Sequence, residues 1–116
     1  MIALNVGNDT VVCMYKVVVY VPIADAAKVR QAIGDAGGGR LGAYSHASFS
    51  TRGTGRFRPL EGAKPAIGEV GKFEEVEEER IEFICETHCL DEVIAAIRTV
   101  HPYEEPAIEV WKVEHR

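Results

Sequence analysis

Residues 15–21 carry Val17, Val18, Val19 and Val21 beside Tyr15 and Tyr20, and Pro22 closes the run. β-Branched and aromatic residues in so short a stretch predict a strand buried on both faces, or nearly so. The period then changes. Ala26, Val29, Ile33 and Ala36 recur at helical spacing, Asp25 stands where it can cap the helix, and Gly37, Gly38 and Gly39 end it. Residues 42–51 mix small and hydroxyl side chains with Tyr44 and Phe49 and read as a second strand. Residues 52–56 place Gly53 and Gly55 among Arg52, Thr54 and Arg56 and read as a turn. Phe57 and Arg58 then start a return strand that Pro59 confines to an edge or an end. Gly62, Pro65, Gly68 and Gly71 make residues 60–71 a loop, an excursion from the sheet. Residues 73–86 form a further strand, with Ile81, Phe83 and Cys85 on its apolar face and Glu82 and Glu86 on the wetter one. Thr87 is placed to cap a second helix, with Asp91 and Glu92 in the turns where the helix dipole favours them. Its apolar stripe is Leu90, Val93, Ile94, Ile97 and Val100, and Pro102 stops it. Residues 107–113 are the last strand, with Ile108, Val110 and Lys112 opposing Glu109, Trp111 and Val113.

Strand, helix, strand, strand, helix, strand is the split βαβ order. It predicts an α+β, ferredoxin-like fold: an antiparallel sheet with both helices on one face and a long excursion between the middle strands. The helices cover only one side of such a sheet. The apolar residues of the first and last strands imply that the other side is also covered, most simply by a second subunit. With 116 residues there is room for one domain. We place it at residues 15–116, after an N-terminal extension over residues 1–14 that reads as an extra strand, a tail or a misassigned start.

A formal charge of −5 argues against nonspecific nucleic-acid binding, which needs a basic face. No apolar run approaches the roughly 18 residues of a membrane span. The N-terminus lacks the basic region of a signal peptide, and Asn5, Asn8 and Asp9 interrupt its apolar residues. With Cys13, Cys85 and Cys89 giving an odd count, the expectation is a cytoplasmic protein with reduced thiols and no membrane partner.

Three segments carry candidate chemistry. The corner His101-Pro102-Tyr103-Glu104-Glu105-Pro106 offers imidazole and carboxylate in His101 and Glu104, a pair suited to zinc-like ions, with Tyr103 anchoring the corner or contacting a ligand. The same residues also make a plain helix-to-strand corner. Cys85, His88 and Cys89 are soft ligands in one short cluster, but a structural zinc site needs a fourth from elsewhere, and buried cysteine also serves as a small hydrophobe. Arg52, Arg56 and Arg58 lie among glycines, where guanidinium forks and backbone N–H groups suit an anion. Alternatively they meet the acidic run Glu74 to Glu79. Ser45, Ser48 and Ser50 lie near His46, but on a strand adjacent residues face opposite ways, and no Gly-x-Ser-x-Gly elbow is present. The residues give no catalytic constellation.

The corner motif resembles a signature near the end of CutA-like proteins. Together with Val18-Val19-Tyr20-Val21-Pro22, Gly42-Ala43-Tyr44-Ser45, Gly53-Thr54-Gly55-Arg56-Phe57-Arg58-Pro59, Glu61-Gly62-Ala63 and Pro65-Ala66-Ile67-Gly68, it resembles more closely the domain inserted in YqfO-type members of the GTP cyclohydrolase type 2-like family. The resemblance runs over residues 15–114. It implies a PII/CutA-like fold assembled as a homotrimer, in a chain without the flanking domains that supply that family's dinuclear metal site. Where CutA-like proteins carry a cysteine in the second strand, this sequence has Ser45-His46-Ala47-Ser48, which sets it apart from CutA-type copper binding. The expected function is a small binding or regulatory module taking an anionic or nucleotide-like ligand, or a divalent metal, at clefts between subunits. The alternatives are a structural or protein-interaction module and, by family analogy alone, a metal-dependent hydrolase.

Overall fold

The computed structural model describes residues 2–6 and 9–116. Met1, Gly7 and Asn8, part of the expected N-terminal extension, lie outside the described residues. The elements in chain order are β1 (Ile2–Val6), β2 (Asp9–Pro22), α1 (Ile23–Asp35), β3 (Phe49–Phe57), β4 (Glu74–Cys85), a short 3-10 turn (Thr87–Cys89), α2 (Leu90–Val100) and β5 (Ile108–His115). The α+β, ferredoxin-like expectation holds. β2 is central, with β4 and then β3 on one side and β5 on the other, and every pairing is antiparallel. β1 pairs with the start of β2, from Ile2 opposite Cys13 to Val6 opposite Asp9, so the first residues include an extra strand.

The core lies between the sheet and the helices. Val17, Val19 and Val21 of β2, Ile81, Phe83 and Cys85 of β4, Ala26, Val29 and Ile33 of α1, and Val93 and Ile97 of α2 are all buried there. Each fully buried valine or isoleucine stabilises the fold by roughly 1.5–3 kcal/mol relative to exposure, so these side chains set which face the helices take. The opposite face carries the alternate residues. Val18 stands between Glu82 and Glu109 in the ladder, with Phe49 beyond Glu82, and Trp111 is opposite Lys16. Met14 and Val18 are buried on this side, while Phe49 and Trp111 stay exposed.

Several local expectations are corrected. Helix α1 begins at Ile23, directly after Pro22, with no side-chain cap; Asp25 lies inside the first turn and faces Lys28 at 3.6 Å. Thr87 opens the 3-10 turn, and the residue at the N-cap of α2 is Cys89. The largest difference concerns residues 42–57. Gly42 (φ 56°) and His46 (φ 61°) put residues 42–48 outside the sheet, and the expected turn at residues 52–56 is the middle of β3. β3 is an edge strand whose sides are almost wholly exposed, so it has no apolar alternation to reveal it. Its register comes from charge. Arg52 stands opposite Glu79, Thr54 opposite Glu77 and Arg56 opposite Glu75.

Candidate functional site

A cavity of about 510 Å³ opens where β3, β4, the excursion after β3 and the corner after α2 meet. Tyr20 of β2, Gly55 and Phe57 of β3, Glu78 of β4 and Tyr103 of the corner line its inner wall. Pro59, Leu60, Ala63, Pro65, Ala66 and Ile67 of the excursion supply an apolar outer wall.

The sequence dictates this enclosure locally. Proline and glycine keep residues 58–73 out of the ladder. The Gly71 N–H donates to the Pro59 carbonyl at 2.8 Å and closes the neck of the excursion, and the Lys64 N–H donates to Glu104 Oε1 at 3.1 Å and ties it to the corner. The corner is fixed by His101, which is buried. Its Nε2 lies 2.7 Å from the Tyr20 carbonyl, and its Nδ1 accepts the Tyr103 N–H at 3.1 Å. A carbonyl accepts and an N–H donates, so the ring is the tautomer with its proton on Nε2. The Tyr103 ring stands 5.0 Å from the His101 ring and edge-on to Phe57 at 5.8 Å. Its hydroxyl donates to Glu78 Oε2 at 2.9 Å. Burial, followed by Glu78 and the charges of Asp25 and Glu74, raises the Tyr103 phenol far above its ordinary pKa. It is a hydrogen-bond donor at any physiological pH.

The candidate residues separate under this geometry. Tyr103 and Glu104 line the cavity, but His101 and Glu104 do not converge: the imidazole holds two backbone groups and the carboxylate holds a third. A metal at His101 would have to displace one of its two contacts. Cys85 packs in the core, where burial, then Cys89 and Glu86, push its thiol up to about 11, so it is protonated. His88 points outward and lies 3.3 Å from Glu86, while Cys89 packs partly against the core. Among the described residues no group of three His, Cys, Asp or Glu side chains is arranged to hold a metal ion.

Arg56 and Arg58 line the cavity and Arg52 does not. Arg56 Nε is 3.1 Å from Glu75 Oε1, and the Arg58 guanidinium sits over the Phe73 ring at 5.1 Å. Phe57, Tyr20 and Glu78 are among the cavity residues that sequence reasoning missed. Glu78 is hidden in a run of glutamates, and only the strand register shows that it and Glu79 turn inward on opposite faces of β4.

A second arrangement lies at the end of α1, outside the cavity. His46 Nε2 is 3.0 Å from Asp35 Oδ1, and its Nδ1 is 2.9 Å from Ser45 Oγ. The strand argument separated Ser45 from His46; the positive φ of His46 folds the ring back instead. The ring lies on Gly34, where an added Cβ would come within 1.9 Å of it. The His46 hydrogen bond and one from Gln31 lower the Asp35 pKa. All three groups are exposed, and they latch residues 40–48 to the helix.

No protein-family model matches the chain. It is 48% identical over 96 residues to the GTP cyclohydrolase 1 type 2 homolog of Mycobacterium tuberculosis, which covers 83% of this chain and 25% of that protein. The homolog of Bacillus subtilis is 48% identical over 99 residues, covering 85% and 26%. The chain thus spans about a quarter of the length of these relatives. A crystal structure of a Bacillus cereus protein related to NIF3 superposes with TM-score 0.76 at 48% identity, over 89% of this chain and 26% of that one. The periplasmic divalent cation tolerance protein CutA from Archaeoglobus fulgidus gives TM-score 0.59 at 16% identity, over 86% and 82%. The GlnK–ATP complex of Bacillus subtilis gives TM-score 0.59 at 16% identity, over 87% and 82%. The chain is therefore homologous to one segment of the GTP cyclohydrolase 1 type 2 homologs, and it carries the CutA/PII-like, ferredoxin-like fold.

Proposed function

We propose that the chain is a small-molecule-binding module that works as an oligomer. The cavity carries this reading. It is concave and mostly apolar, and it holds a few oriented polar groups, the composition of a ligand site. The corner around His101 serves it structurally, by presenting Tyr103 to Glu78.

The exposed sheet face supports assembly, with the trimer as the expected state. Phe49 and Trp111 flank buried Val18 and Met14 on a face that the helices of this chain do not reach. Burying these aromatics in a subunit contact removes apolar area from water, and the Arg80–Glu82 pair on the same face would set its register. The cyclohydrolase activity in the relatives' names is not extended to a chain that spans a quarter of them.

The test is thermal unfolding against nucleotides, organic acids, amines and divalent metals. Nucleotides and metals enter because one structural neighbour was solved with ATP and another is named for cation tolerance. A ligand at about 100 times its dissociation constant stabilises the native state by roughly 2.7 kcal/mol. A selective shift abolished by Tyr103→Ala supports the reading. A panel without any shift removes it, and leaves the sheet face to support a purely structural module. Sedimentation at three times the chain mass of 12.7 kDa is the expected assembly result, and a monomer would refute the oligomer.

A further inference from the structure

We infer that the charged group this cavity recognises is a cation: a protonated amine, amidine or guanidine carried on an apolar or aromatic body. This rests on the cavity being the ligand site proposed above.

The argument starts at Glu78. It lines the cavity and is only 8% exposed. Its Oε2 accepts the Tyr103 hydroxyl. Its Oε1 lies over Gly55, another lining residue, and receives no hydrogen bond among the described residues. No wholly buried side-chain oxygen among the described residues is without a partner, so Oε1 keeps contact with solvent, and a group in the cavity can reach it. An N–H donor on a cationic ligand supplies both the hydrogen bond and the opposite charge.

Two guanidinium groups line the same cavity. Arg56 is paired with Glu75, and Arg58 is stacked on Phe73. The further charges on the wall are Glu104 and Glu105. One oxygen of Glu104 takes the Lys64 N–H, and both residues are exposed at the rim. The carboxylates Glu78, Asp25 and Glu74 act together on the Tyr103 phenol, and carboxylates gathered in a cleft attract cations.

The apolar wall defines the body of the ligand. Tyr20, Phe57 and Tyr103 present aromatic surface beside the carboxylate, and aromatic faces attract cations. The aliphatic excursion, from Leu60 to Ile67, covers the remainder. An anionic ligand would bring its charge against the Glu78 carboxylate.

Benzamidine, benzamide and benzoate test this, because they share one shape and differ in charge. Each is titrated calorimetrically into the full chain at low ionic strength. Benzamidine is expected to bind at least about tenfold more tightly than benzamide, the margin of one charge-assisted hydrogen bond, and benzoate more weakly than either. Glu78→Gln keeps an acceptor for Tyr103 and should bring benzamidine to the level of benzamide. Should that variant not fold, the amide resonances of Gly55 and Tyr103 in the unaltered protein locate the probe. Benzamidine is expected to move both, and binding that leaves them unmoved overturns the assignment. Tighter binding of benzoate, or equal binding of all three, overturns the cation while leaving the cavity as a site. Failure of all three at millimolar concentration removes the cavity and the cation together.

Discussion

Gly53 and Gly55 lie two apart on β3 and point to the same face, yet substitution by alanine is expected to change stability in opposite directions. An added Cβ at Gly53 meets nothing within 4 Å. At Gly55 it would lie 1.8 Å from Glu78 Oε1 and 2.4 Å from Cδ. Neither glycine has a positive φ, so alanine is allowed by the backbone at both. Gly53→Ala should therefore stabilise by about 0.4–1 kcal/mol through loss of unfolded-chain entropy. Gly55→Ala gains the same amount but must expel the Glu78 carboxylate, and with it the Tyr103 hydrogen bond. A hydrogen bond to a charged group contributes roughly 1.5–3 kcal/mol. The net expectation is a loss of about 1–2 kcal/mol, or roughly 4–8 °C in the midpoint for a domain of this size. Urea unfolding of both variants at one protein concentration measures it. The route is checked by a double-mutant cycle, since Gly55→Ala should cost nothing further on a Tyr103→Phe background. Equal effects at the two glycines, or full additivity with Tyr103→Phe, would refute the reasoning.

Gly34→Ala would normally favour a helix by about 0.5–1 kcal/mol, but here the new Cβ meets the His46 ring at 1.9 Å. It should break the Asp35 contact and raise amide exchange across residues 40–48; unchanged exchange there would count against the latch. Glu79 gives a pH dependence. Burial pushes its carboxyl up, but hydrogen bonds from Ser50 and Arg30 and the charges of Arg30 and Arg52 outweigh this, leaving it below the usual 4.5. A folded-state pKa below the unfolded one stabilises fully above the unfolded value, and that stability drains as pH falls through the folded value. Unfolding measured on either side of pH 4.5 should show this loss, and Arg30→Met should make the acid limb shallower. An identical limb in the variant would assign the acid sensitivity to other groups.

The sequence by itself determined the strands and helices that bury something. Val17, Val19 and Val21, Ile81, Phe83 and Cys85, and the stripe of α2 repeat at periods that only one face of a strand or helix satisfies. Their order fixed the ferredoxin-like arrangement, because the topologies that bury such faces with short connections are few. Where the chain buries little on either side, the sequence was silent. The middle of β3 looked like a turn because its glycines and arginines carry no apolar period, and its strand exists only through pairing with residues 74–82 of β4. The tertiary structure also decided what the candidate residues do. His101 was legible as the end of α2, but its use to hold the Tyr20 carbonyl and the Tyr103 N–H depends on a contact 81 positions away. Glu78 differs from its neighbours in the acidic run only in facing Gly55 and Tyr103, which lie on other elements. Burial periodicity is local and can be read along a chain. The convergence of polar groups on a cavity depends on register and on the packing of distant segments, and it arises only when the chain has folded.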